Sequence, residues 1–219
     1  MTTDFLTPFE RLLERFGPQH WWPGETPFEV VVGAMLTQNT AWGNVEKAID
    51  RLKAADTLNC RAILTLADAE LADLIRPAGY FNVKTKRLKA LCQFLVERGV
   101  AETPEALAGQ DTLPGLRHDL LAVHGIGEET ADSILLYALN LPGFVVDAYT
   151  HRIFGRLGLL AGTESYAAIK ALFEAKLPAD VSLYNEYHAL IVRLAKDYCR
   201  PRPRCAGCPL HPICPTASI

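Results

Sequence analysis

Apolar residues recur at three- and four-residue intervals along almost the whole chain, while period-two alternation is nearly absent, so the pattern predicts an all-α protein. The first helix opens at Thr7-Pro8-Phe9-Glu10: Thr caps, Pro suits the first turn, and Glu10 can bond back. Phe9, Leu12, Leu13 and Phe16 share one face, and Gly17-Pro18 ends the helix. The same Thr-Pro-Phe-Glu chemistry returns at 26–29, ahead of an apolar stretch over 30–36 long enough for a buried helix. Helical periodicity continues over 45–53, 62–76, 84–98, 104–107, 128–140, 149–157, 165–175 and 181–198. Gly24, Gly79, Gly109, Pro142-Gly143 and Pro178 punctuate these runs without opening a long polar linker, which predicts compact packing. Phe144-Val145-Val146 is too brief for a convincing strand and reads as a buried approach to the next helix.

Composition narrows the class. With 219 residues, 49% hydrophobic and 21% charged, the chain is of ordinary globular character. A chain of this size buries roughly 70% of its unfolded surface, so a core forms without disulfides. No apolar run approaches the ~20 residues of a membrane span, and Asp4, Glu10 and Glu14 stand where a signal peptide would be basic and then apolar. The expectation is a cytoplasmic monomer with no membrane partner. A net charge of −3 argues against nonspecific coating of nucleic acid, but leaves room for a local basic patch.

The tail Cys199-x5-Cys205-x2-Cys208-x5-Cys214 offers four thiolates in sixteen residues, a metal-binding pattern more than a disulfide one. The spacing suits a 4Fe-4S cluster, whose ligands wrap several faces of a cube; structural zinc, with its paired short arms, is the alternative. Arg200, Arg202 and Arg204 alternate with prolines in the same loop, either as an arm for an anionic partner or as a solvated charge run. Upstream, the segment 120–132 reads as helix, hairpin, helix, with His124-Gly125-Ile126-Gly127 at the turn. Gly125 and Gly127 permit tight geometry and leave bare amides near a helix start, where phosphate can bind without side-chain charge; an ordinary interhelical turn has the same spelling. Asp147 follows the apolar run 144–146, placed either as a partly desolvated reactive carboxylate or as a plain helix cap, and the two are compatible.

Together the hairpin, the downstream Asp147 and the four cysteines resemble the helix-hairpin-helix DNA glycosylases of the endonuclease III superfamily, over about residues 21–214. Within it, Trp21-Trp22-Pro23, Leu36-Thr37-Gln38-Asn39-Thr40, Trp42 and the segment 76–82 are similar to the branch of endonuclease III-like 3-methyladenine DNA glycosylases. Two positions depart from endonuclease III itself. Glu129 stands where that enzyme has the lysine that attacks the sugar, and a carboxylate forms no Schiff base. Five residues, not six, separate the first two cysteines.

The resemblance implies two helical lobes with a DNA cleft between them. One is a six-helix barrel over 24–138 that includes the hairpin. The other is an iron-sulfur domain of 1–23 plus 139–219, and hairpin and Asp147 would meet at the cleft. It also implies a base pocket of Trp21, Trp22, Pro23 and Trp42. Indoles would bind a cationic alkylated purine by stacking and cation–π attraction, each worth ~1 to 3 kcal/mol, although a lone Trp more often anchors a core. The expected reaction is hydrolysis of the glycosidic bond of a base flipped from damaged double-stranded DNA, with Asp147 stabilising oxocarbenium character and activating water. Glu129 either tunes the site or starts its helix. Gln38 and the turn Tyr80-Phe81 are candidate wedges, Gln38 otherwise being an ordinary helix amide. Lys84 and Lys86, followed by Arg87, either hold the distorted backbone or form a solvated helix face. Gly125, Gly127 and Thr130 of the hairpin, with Arg202 and Arg204, complete the expected DNA contacts. The alternatives are an oxidised-pyrimidine glycosylase with lyase activity through another lysine, and a non-catalytic protein that binds damaged DNA.

Overall fold

A computed structural model of the chain describes residues 4–19, 21 and 24–217, and every regular element among them is helical. None of these helices is long and apolar enough to cross a membrane. The chain divides into two compact units, Trp22–Leu141 and Met1–Trp21 with Pro142–Ile219.

The central unit is built around α2 (Pro27–Leu36), in which Val30, Val31, Val32, Met35 and Leu36 are all buried. Thr26 caps it as expected, accepting the Glu29 N–H at 3.1 Å with Pro27 in the first turn. Glu29 does not bond back to the cap; its carboxylate instead pairs with Lys53 at 2.9 Å on α3 (Trp42–Ala54). The periodicity over 62–76 resolves into two helices, α4 (Cys60–Thr65) and α5 (Asp68–Leu74). Asn59 Oδ1 caps the first, taking the Ala62 N–H at 2.8 Å, and the break comes where Glu70 Oε2 takes the Ala67 N–H at 2.9 Å and starts a second helix. A single 3₁₀ turn, Arg76–Ala78, leads to α6 (Phe81–Glu97), whose Leu88, Leu91, Cys92 and Leu95 are buried in the core. The periodic stretch at 104–107 is likewise 3₁₀ in form, Pro104–Gly109. After α7 (Leu113–Ala122) comes the hairpin and α8 (Glu128–Ser133). The expected single helix over 128–140 widens at Ile134–Ala138 into a π turn, closed by the Leu139 N–H reaching the Ile134 carbonyl at 3.1 Å.

The other unit contains α1 (Leu6–Phe16), α9 (Ala148–Arg156), α10 (Tyr166–Lys176) and α11 (Val181–Asp197). The start of α1 corrects the expectation at Thr7. Asp4 lies upstream and its carboxylate takes both the Leu6 N–H, at 2.8 Å, and the Thr7 hydroxyl, so Thr7 is inside the helix rather than capping it. Aromatic rings fill this core: Phe144 stacks on Phe173 with centroids 4.2 Å apart, and Phe5, Phe154, Tyr184 and Tyr187 pack around them. The run 144–146 is extended and buried, without strand pairing, and its backbone is satisfied by side chains. Glu174 accepts the Phe144 N–H at 2.9 Å, Tyr166 Oη accepts the Val146 N–H at 3.3 Å, and Lys170 Nζ donates to the Phe144 carbonyl at 3.2 Å. This fixed entry delivers Asp147 to the head of α9.

Candidate active site

Asp147 caps α9. Its Oδ1 accepts the Thr150 N–H at 2.7 Å and the Thr150 hydroxyl at 2.8 Å. Its Oδ2 faces His188 of α11, with Nε2 at 3.6 Å, and the side chains of Asp147 and His188 are only 11% and 8% exposed. Burial alone would push the Asp147 carboxyl upward, but the His188 imidazole, followed by the Thr150 bonds, outweighs it and leaves the carboxyl below its ordinary range. Trp21 stacks on His188, with ring centroids 5.3 Å apart and planes 27° from parallel. One of the expected pocket indoles therefore sits on the ring that flanks the expected acid. Trp42 lies in the central unit, packed over α2, where its ring would be 3.3 Å from a Cβ placed on Gly33. Trp22 and Pro23 lie outside the described residues.

The hairpin joins α7 to α8. Gly125 has φ +86°, and a Cβ there would run into Arg87 Cγ and Cδ, so the backbone passes directly over that side chain. Gly127 faces open space. Gln38 Nε2 donates to the Gly125 carbonyl and to Thr130 Oγ1, both at 3.0 Å, and Arg87 Nη1 donates to Gln38 Oε1 at 2.5 Å. Gln38, expected as a wedge, thus brackets the hairpin. Thr130 is buried at this contact and serves the hairpin from within. From the other side Arg117 forks onto the fully buried Asp132 at 2.9 and 3.1 Å and reaches Glu128 at 3.1 Å, which ties α7 to α8 and holds the guanidinium charged. Glu129 is exposed in the first turn of α8.

Tyr80 heads α6 with a left-handed backbone, φ +46°, and the residue is 73% exposed. Beside it the Arg76 guanidinium lies 4.6 Å from the centre of the Phe81 ring. Lys86 is exposed, as a DNA contact requires, but Lys84 is not. Its ammonium is buried and donates to the Leu36 carbonyl at 2.7 Å, Thr40 Oγ1 at 2.6 Å and the Ala78 carbonyl at 2.8 Å. Burial, and then the nearby Arg87 charge, lower its pKa to about 8. The expectation that Lys84 holds the DNA backbone is corrected: apolar neighbours on α6 turn it inward. His188, Arg87 and Arg117 were not assigned these roles from the sequence.

In the tail, Cys199, Cys205, Cys208 and Cys214 all line one cavity, with Arg156, Tyr198 and His211. Arg156 Nη1 donates to Cys199 Sγ at 3.2 Å, and its other bonds go to the Arg200 and Pro201 carbonyls at 2.7 and 2.9 Å. Among the described residues no three His, Cys, Asp or Glu gather into a group arranged to hold a metal ion. Four thiols around one space match the donor set of an iron-sulfur cluster. Arg202 and Arg204 are exposed on the same loop.

Comparison with known proteins identifies the family. The chain is 50% identical over 206 residues, covering 94% of it and 93% of the relative, to the Methanocaldococcus jannaschii protein named "Putative DNA repair glycosylase MJ1434". It is 30% identical to endonuclease III of Thermotoga maritima, over 93% of this chain and 88% of that one. Among solved structures, the H. pylori 3-methyladenine DNA glycosylase MagIII, bound to 1,N6-ethenoadenine, superimposes with a TM-score of 0.73 at 31% identity, covering 88% of this chain and 97% of that chain. The family described as "HhH-GPD superfamily base excision DNA repair protein" matches residues 32–179. The chain thus belongs to the helix-hairpin-helix base excision DNA repair superfamily that includes endonuclease III.

Proposed function

We propose that this chain is a monofunctional DNA N-glycosylase that hydrolyses the glycosidic bond of an extruded alkylated purine, 3-methyladenine or a base of similar charge. The observation that carries the reading is the stack of Trp21 on His188 beside the buried Asp147. An indole, half-buried, and a carboxylate kept ionised by His188 and Thr150 support the reading together. A cationic purine gains from the first, and a sugar developing positive charge gains from the second.

In this reading Tyr80, exposed at the head of α6, enters the space that the base vacates. The hairpin amides around Gly125 and Gly127, with Lys86, Arg202 and Arg204, hold the phosphates. As the C1′–N bond breaks, its electron pair leaves with the base, and Asp147 steadies the sugar cation. Water adds to C1′ and its proton passes to Asp147, then to solvent. A base that is already cationic needs little help to leave, so no amine nucleophile is required. Glu129, in the first turn of α8, supplies none. Cys199, Cys205, Cys208 and Cys214 would hold a 4Fe-4S cluster. When bound it crosslinks the tail through iron–thiolate bonds and so orders the arm bearing Arg202 and Arg204.

Chromatography of bases released from duplexes carrying alkylated, oxidised or mismatched bases tests the reading, together with borohydride trapping on an abasic duplex. Free methylated purine with no covalent adduct is the expected result. Release of an oxidised pyrimidine with a trapped adduct would replace it by the lyase reading. Binding without release would leave a damage-recognition protein.

A further inference from the structure

Lys84 is an ammonium in the core, and the three acceptors it meets are two carbonyls and a hydroxyl, not a carboxylate. Burying a cation on such partners is costly, and the three bonds that offset the cost join three separate points of the chain. Leu36 is the last residue of α2, where the carbonyl end of the helix dipole favours a cation. Thr40 lies in the turn that follows and Ala78 in the turn before α6. Thr40 Oγ1 also donates to the Ala78 carbonyl at 2.5 Å, which closes a triangle around the ammonium.

Each of the two joined turns holds a non-glycine residue in the left-handed region, Asn39 at φ +52° and Tyr80 at φ +46°. Such conformations cost of order 1–3 kcal/mol each and persist only where the surroundings over-determine them. Both residues are exposed, so side-chain packing does not hold them. What binds the two turns from below is the Lys84 triangle. One helical turn further along α6, Arg87 performs the matching service for the hairpin through Gln38 and Gly125.

We propose that Lys84 is a positioning residue for base extrusion: it locks the turns of Asn39 and Tyr80 together so that the Tyr80 ring is presented, already ordered, to the DNA stack. This rests on the reading of Tyr80 as the wedge. Preorganisation of this kind should act on extrusion more than on affinity, because phosphate contacts lie elsewhere.

The test is a double-mutant cycle of Lys84→Met and Tyr80→Ala. The probe is a duplex carrying 2-aminopurine beside a tetrahydrofuran abasic analogue, and the readouts are the fluorescence rise on unstacking, affinity and thermal melting. In the wild type, Tyr80→Ala should lower the unstacking amplitude about tenfold. Lys84→Met should do the same while changing affinity less than threefold, and Tyr80→Ala should then have no further effect. A purely structural lysine would lower melting and affinity and leave the Tyr80→Ala effect intact, which would overturn the proposal. So would a Tyr80→Ala protein that unstacks normally while Lys84→Met does not. If the wild type itself produces no unstacking, the base-extrusion reading falls and this proposal with it. Should Lys84→Met fail to fold, Thr40→Val, which removes one corner of the triangle at nearly constant volume, takes its place. It should lower the amplitude about threefold and halve the Tyr80→Ala effect, and an unchanged amplitude would overturn the proposal.

Discussion

His188 Nε2 stands 3.6 Å from Asp147 Oδ2, across a gap in which both side chains are almost wholly buried. The relationship explains how a carboxyl that burial would neutralise stays ionised: the imidazole and Thr150 outweigh desolvation. Because its folded pKa is depressed, Asp147 contributes stability that is present above the unfolded carboxyl value and is lost as pH falls through the lower, folded one. Replacing His188 removes the larger opposing influence and leaves burial.

His188→Asn should therefore move the acid limb of single-turnover base release toward higher pH, with the neutral-pH rate reduced only modestly. The pH profile of the variant against wild type measures this directly. A limb that stays in place would mean that His188 does not hold Asp147 ionised.

Asp147→Asn separates the two duties of that residue. Asn caps a helix about as well as Asp, so α9 should stay anchored through Thr150, and melting should change by no more than a few tenths of a kcal/mol beyond the loss of the His188 attraction. Base release, which needs the charge, should fall at least about a hundredfold. Lesion affinity should remain measurable. Turnover at the wild-type rate would remove Asp147 from the chemistry.

Much of the fold is legible in the sequence. Thr26, Pro27 and Gly17 mark helix ends by local chemistry, and Asp147 follows an apolar run whose only exit is a cap. What was not legible is where the side chains meet over long separations. His188 lies two helices beyond Asp147, and nothing local pairs them. The available signal was a titratable residue set among Tyr187, Ala189, Leu190 and Ile191, a stretch that α11 buries. Lys84 reads as a surface charge because Lys84, Lys86 and Arg87 together spell a charged face. At helical spacing, however, Lys84 aligns with Leu88, Leu91 and Leu95, and that stripe is the one facing inward. The split of the 62–76 helix turns on Glu70, whose bond to the Ala67 N–H starts a new helix inside a periodicity that continues through it.

Gly125→Ala tests the hairpin. The left-handed φ and the approach to Arg87 Cγ both oppose a methyl group, and the neighbour in the way is the middle of a side chain whose far end is already bonded to Gln38. A loss of about 1–3 kcal/mol in stability is expected, together with weaker binding of damaged and undamaged duplex alike. Gly127→Ala, at a position with open space and extended backbone, should be nearly neutral for stability and weaken only DNA binding. Equal destabilisation by the two changes would contradict this account of the turn.

The cysteine tail supplies the last test. Its four thiols line one cavity, and around it Arg156 bonds to Cys199 Sγ and to two carbonyls, Arg152 Nε donates to the Cys199 carbonyl at 2.8 Å, and Thr216 Oγ1 donates to the Arg156 carbonyl at 3.0 Å. Protein purified without oxygen should show broad absorbance near ~400 nm, expected of an iron-thiolate cluster and absent for zinc. Oxidative removal of the iron, or Cys208→Ala, should abolish that band and expose the 199–217 segment to protease. The melting of the helical units should shift far less, because the aromatic core around Phe144 and Phe173 does not draw on the tail. A colourless protein with one bound zinc would transfer the same ordering role to a different metal, and cleavage of the tail at equal rates with and without metal would deny that role altogether.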